Sequence, residues 1–167
     1  MEKLWSPWRS QYIDSFSNAI KNTGCIFCDA AKEGIEASNS LVINKAEFTF
    51  TILNLYPYNN GHLMVVPFRH LSDFALLTEE ENKEIMAELQ LAQKALLLAL
   101  NPHGFNIGAN LGKVSGAGID DHLHFHIVPR WNGDTNFMPV LAEVKVLSED
   151  LMQTKKKLLA AYLKIKN

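Results

Sequence analysis

The chain has 167 residues, of which 47% are apolar and 20% charged, and its formal net charge is -2. That is the length and balance of one ordinary globular domain, able to bury a single core without staples. Such a charge excludes a general nucleic-acid binder and a membrane-surface protein, although an anionic nucleotide needs only a few donors aimed into one pocket.

Residues 1–24 carry Trp5, Trp8, Tyr12 and Phe16 and are expected to form an arm that packs on the rest of a single domain spanning 1–167. No apolar stretch follows the N-terminal Met1–Pro7, as a signal peptide would require, and Ala95–Leu100 is the longest wholly apolar run. A cytoplasmic protein with neither a membrane nor a nucleic-acid partner is therefore expected. The two cysteines, Cys25 and Cys28, lie too close together for a secreted disulfide framework. Phe48–Leu55 is rich in β-formers and reads as a strand, Tyr56–Gly61 as a turn, and His62–Val66 as a second strand ended by Pro67. Thr78–Leu100 is the clearest helix. Thr78 and Glu81 make a capping-box pattern, Ile85, Leu89, Ala92, Leu96 and Leu100 recur at helical spacing, and Asn101-Pro102 stops it. Phe105–Leu111 reads as a strand, Gly112–Gly118 as a flexible loop, His122–Val128 as an alternating strand and Val140–Leu147 as the last strand. Ser148 is expected to cap a basic helix running to about Lys166. The class is α+β: a mainly antiparallel sheet of about five strands, one long helix between hairpins, and a C-terminal helix.

The run His122-Leu123-His124-Phe125-His126 carries the chemistry. On a strand His122, His124, His126 and Val128 share one face, while Leu123, Phe125 and Ile127 point into a core. Three neighbouring imidazoles are a poor way to build stability, being polar and mutually repulsive when protonated. Two functional readings remain. Histidines at i and i+2 on a strand are a common metal-ligand geometry. Alternatively, a neutral imidazole attacks phosphorus while its neighbours hold phosphate oxygens. The glycines of Gly112–Gly118 before the run, and Arg130 after it, favour the second, because backbone N–H groups of such a loop cradle phosphate.

His122–Val128 matches the pattern His-x-His-x-His followed by two apolar residues, and on this run the chain resembles the histidine-triad (HIT) superfamily from about Cys25 to Arg130. Asn54-Leu55, Asn60–His70 and Asn110-Leu111-Gly112 resemble other family segments. Leu4–Arg9 and Trp131–Phe137 resemble the bacterial branch related to diadenosine tetraphosphate phosphorylases. The resemblance implies a HIT-like fold and an enzyme cleaving diadenosine polyphosphates or related adenine nucleotides. It assigns His124 as the nucleophile on the α-phosphate, His126 to the phosphate oxygens and leaving group, and His62 as support from the neighbouring strand. It further implies Asn54 beside the ribose, Asn110 beside the phosphates, and Gly116 and Gly118 lining the phosphate site. No glutamine stands in Ser115–Asp120, where many members carry one, so phosphate contact falls to Asn110, Ser115 or backbone. A third histidine rather than glutamine argues against the uridylyltransferase branch and for a hydrolase or phosphorylase. Trp131 is a candidate to close over a substrate. Homodimers or larger assemblies are implied.

Cys25-Ile26-Phe27-Cys28 reads as a redox pair, a coincidence, or half of a metal site. Zinc needs two more ligands, and the resemblance supplies them as His70 and His122, giving a structural Cys2His2 site. His103 is read as a solvated loop residue, Met64, Met86 and Met138 as core, and Lys155–Lys157 as the wet face of the last helix. Two rival functions remain open: a metal-dependent hydrolase whose ligands are the three strand histidines, and a nucleotide-binding module without turnover.

Overall fold

The computed structural model describes residues 24–134 and 149–167. A short helix α1 (Ile26–Ala30) is followed by strands β1 (Val42–Lys45), β2 (Thr49–Leu53) and β3 (Leu63–Pro67), then the long helix α2 (Glu79–Leu100), strands β4 (Gly104–Gly108) and β5 (Phe125–Arg130), and helix α3 (Leu151–Lys166). The five strands form one sheet in the order β1-β2-β3-β5-β4, and every neighbouring pair is antiparallel. The α+β class and the antiparallel sheet with its inserted long helix are as the sequence indicated.

The sheet has two differently covered faces. Ile43, Leu53, Leu63, Val65 and Ile127 pack with Ile85, Leu89, Ala92 and Leu96 of α2 and Leu158, Ala161 and Tyr162 of α3. The opposite face buries Val42, Phe50, Ile52, Met64 and Val66 under Phe27 of α1. Helix α2 starts where its sequence indicated. The Thr78 hydroxyl accepts from Glu81 N and the Glu81 carboxylate accepts from Thr78 N, closing a full capping box. Its periodic apolar residues all lie on the sheet side, whereas Met86 is exposed and not core.

The structure alters several boundaries. Strand β1 and helix α1 were not expected. Val42–Lys45 is short, and a bulge between Val42 and Asn44 breaks its alternation, so both Ile43 and Asn44 serve the helix side. Strand β3 includes Pro67, which pairs with Thr49 as its last residue. Strand β4 ends at Gly108 rather than Leu111. Helix α3 is capped by Asp150, not Ser148: the Asp150 side chain accepts from Met152 N and Gln153 N. Lys155 is not on a wet face. It is buried, and its ammonium donates to the carbonyls of Ile35 and Ser40 at 2.6 and 2.7 Å, a use of lysine invisible to helical periodicity. The N-terminal arm up to residue 23, the strand Val140–Leu147, Ser148 and Met138 lie outside the described residues.

Candidate active site

The histidine run straddles the start of β5. His126 lies within the strand, paired between Met64 and Gly108, while His122 and His124 precede it. The ladder with β3 stops at Val65–Phe125 because the next groups have other partners. Leu123 N donates to Leu71 O at 2.7 Å, and Pro67 O accepts from His122 Nε2 at 2.9 Å. Leu123 and Ile127 are buried, and Ile127, with Phe125 packed beside it, joins the helix-side core.

His122 faces away from the other two rings. Its Nδ1 lies 3.1 Å from Cys25 Sγ and 3.7 Å from Cys28 Sγ, and His70 Nδ1 lies 3.5 Å from Cys28 Sγ. Ligand atoms of Cys25, Cys28, His70 and His122 all fall within 4.8 Å of one another. Ligands about 2.0–2.3 Å from a tetrahedral zinc sit at such mutual spacings, and two thiols with two imidazoles are a zinc donor set. Because His122 Nε2 must donate to the Pro67 carbonyl, its Nδ1 carries the lone pair toward the cluster. Burial lowers the His122 pKa, keeping the ring neutral as a metal ligand must be. The cluster is compatible with zinc.

His124 and His126 are held in opposite tautomers. His124 Nδ1 lies 2.9 Å from the carbonyl of His122, to which only an N–H can bond, so Nε2 bears the lone pair. Phe27 packs on this ring at 4.9 Å, and burial lowers its pKa. At His62 the backbone N–H of Tyr58 donates to Nδ1 at 3.1 Å, which leaves the proton on Nε2. That Nε2–H donates over 2.9 Å to His126 Nδ1, so His126 in turn carries its proton on Nε2. Asn54 supports this relay, its amide nitrogen 3.3 Å from His62 Nδ1. The buried His126 Nε2–H has no partner among the described residues. Burial, with His124 beside it, pushes the His126 pKa down to about 4, so the ring is a neutral donor near pH 7. The rings of His124 and His126 meet edge to face, 4.8 Å apart. The pair therefore offers a base nitrogen from one ring and an unspent donor from the next.

His126 lines a cavity of about 530 Å³ between the open face of β4–β5 and the Gly112–Gly116 loop. Asn110, Ser115 and Gly116 line it, together with Tyr58, Asn106 and Arg130. His124, His62, Gly118, Asn54 and Trp131 do not line it. Gly116 has φ +91°, a conformation open to glycine, whereas the Ser115 hydroxyl donates within the loop to Leu111 O and Gly112 O. Arg130, already singled out just past the histidine run, stands in the cavity wall, whereas Tyr58 and Asn106 had no signal in the sequence. Alternation along β5 places Arg130 on the His126 face, but only the β4–β5 pairing brings Asn106 opposite Val128. The rival site with all three strand histidines on one metal does not form, since the three rings engage different partners.

A family model of the HIT domain matches residues 36–133. The chain belongs to the HIT family. It is 37% identical over 161 residues, 93% of this chain and 82% of the relative, to a protein of Mycobacterium tuberculosis named AP-4-A phosphorylase. It is 26% identical over 134 residues, 76% of this chain and 95% of the relative, to the adenosine 5'-monophosphoramidase of Schizosaccharomyces pombe. A Zn-bound histidine triad family protein from Mycobacterium smegmatis shares the fold with a TM-score of 0.69 and 26% identity, over 86% of this chain and 96% of that one.

Proposed function

We propose that this HIT protein is a nucleotidyl transferase or hydrolase that cleaves diadenosine polyphosphates through a nucleotidyl-His124 intermediate. The observation that carries the reading is the paired tautomers: a lone pair on His124 Nε2 beside an unspent Nε2–H on His126. His124 Nε2 attacks the α-phosphorus, forming a P–N bond as the P–O bond to the departing nucleotide breaks. His126, held by His62 and Asn54, donates to the phosphate oxygens and the leaving group. Asn110, Ser115 and Gly116 contribute to the phosphate wall. Asn54 approaches the ribose, and Gly118 and Trp131 meet substrate outside the cavity described. Inorganic phosphate or water then attacks the intermediate and frees His124. The identity to the M. tuberculosis relative supports phosphate as the acceptor.

Cys25, Cys28, His70 and His122 hold a structural zinc in this reading. The whole chain works as one domain in the cytoplasm, and no described helix is long and apolar enough to cross a membrane. Its exposed edge strand β4, with Ile107 52% accessible, favours a homodimer.

Incubation with diadenosine tetraphosphate tests the activity. ADP and ATP formed only when inorganic phosphate is present identify phosphorolysis. AMP and ATP formed without it identify hydrolysis, and no product from either refutes the reading. His124→Ala is expected to lower turnover at least about a thousandfold and to abolish acid-labile labelling of the protein by nucleotide, with circular dichroism unchanged.

A further inference from the structure

We propose that Arg130 forms a second anion subsite at the end of the cavity remote from His126. It takes the outer phosphates of a polyphosphate chain, making the number of phosphates a determinant of substrate binding. The inference rests on the reading of this cavity as a nucleotide site.

His126, Val128 and Arg130 follow one another along one face of β5 and all line the cavity. At about 3.3 Å per residue, the Arg130 backbone lies roughly 13 Å beyond that of His126. A single phosphate held at the histidines does not span that length, whereas a polyphosphate reaches toward it. Among the described residues, Arg130 is the one charged side chain lining the cavity, and no carboxylate lines it. Its side chain remains 43% accessible.

The guanidinium is already aimed. Its Nε and one terminal nitrogen grip Asp134 side-on at 2.6 and 2.9 Å, and the other terminal nitrogen donates to Asn106 Oδ1 at 2.8 Å. Among the described residues these bonds use three of five N–H groups and leave two for a ligand. Asp134 is itself fixed, since its Oδ2 also accepts from Asn59 Nδ2 and Trp131 N. Arg130 holds that carboxyl well below the usual carboxylate range, so the clamp stays ionised at any working pH. A surface ion pair of this kind adds little stability. As a clamp it removes the rotamer freedom that a flexible arginine would lose on binding an anion.

Arg130→Gln and Arg130→Lys test the proposal by calorimetry and kinetics. Titration with inorganic tripolyphosphate and with inorganic phosphate reads the subsite without turnover. Arg130→Gln is expected to weaken tripolyphosphate about tenfold while changing orthophosphate less than twofold, and Arg130→Lys to recover part of the loss. Absence of tripolyphosphate binding to the native protein, or equal binding to Arg130→Gln, overturns the subsite. In turnover, the KM for diadenosine tetraphosphate is expected to rise about tenfold in Arg130→Gln, with kcat little changed. The kcat/KM for adenosine 5'-phosphoramidate, which has one phosphate, is expected to stay within about twofold. An equal loss on both substrates assigns Arg130 a structural role and refutes the proposal. A native protein that cleaves neither substrate but binds tripolyphosphate through Arg130 refutes the proposed activity and leaves the subsite standing.

Discussion

His126 shows how a single side chain is prepared by its surroundings. It is a buried imidazole whose proton sits on Nε2 because a backbone N–H, two residues removed in the relay, has fixed His62. Its pKa in the fold, about 4, lies below the ordinary 6.5. The unfolded chain therefore takes up this proton first as pH falls. The associated stability is complete above about pH 6.5 and is lost progressively toward pH 4, to the extent of roughly 3 kcal/mol. Urea midpoints are expected to drop between pH 7 and pH 4.5, and to drop less in His126→Gln. An identical pH slope in the variant would contradict this account. The position of His126 was plain from the spacing of the run. Its tautomer was not, because that depends on Tyr58 and His62, which reach it from another strand.

Among the elements, the β2–β3 connection shows what turn chemistry in a sequence does and does not reveal. Tyr56–Gly61 reads as a turn, and Gly61 does adopt a positive φ of 76°. The fold adds a second constraint: a Cβ at Gly61 would stand 2.5 Å from Leu100 Cδ1 and 3.0 Å from Leu96 Cδ2 at the end of α2. Gly61→Ala thus meets both backbone strain and a collision, and is expected to destabilise the protein by about 1–3 kcal/mol in chemical denaturation. An unchanged midpoint would show that α2 yields easily there. The turn also carries the His62 relay, so the same variant is expected to lower activity. The long helix was readable because cap, periodicity and stop signal agree along 22 residues. Strand β1 escaped notice because four residues with a bulge carry no period. The start of β5 was misjudged because Pro67 cannot donate to a ladder, and its carbonyl bonds a side chain instead.

Across the molecule, the Cys-His cluster joins three segments far apart in sequence: the start of α1 at Cys25–Cys28, the end of the β3 connection at His70, and the approach to β5 at His122. A metal there closes long loops, and through the His122 carbonyl it also steadies the ring of His124. Purified protein is expected to contain one equivalent of zinc. Its removal by a chelator is expected to lower the melting temperature by at least roughly 5 °C. Cys28→Ser is expected to lose the metal. A protein free of zinc, with a melting temperature indifferent to chelation, would rule the structural metal out.

The sequence by itself determined the α+β class, the long helix, the three histidines and the glycine loop before them, since each is written in local spacing. Its resemblance to the HIT family singled out the cysteine pair's histidine partners. Tertiary structure alone decided that His124 and His126 keep opposite tautomers. It also decided that Lys155 is buried and that Arg130 is clamped beside Asn106. Those outcomes depend on which donors and acceptors other strands and loops bring within hydrogen-bond reach, and no period along one chain segment encodes that.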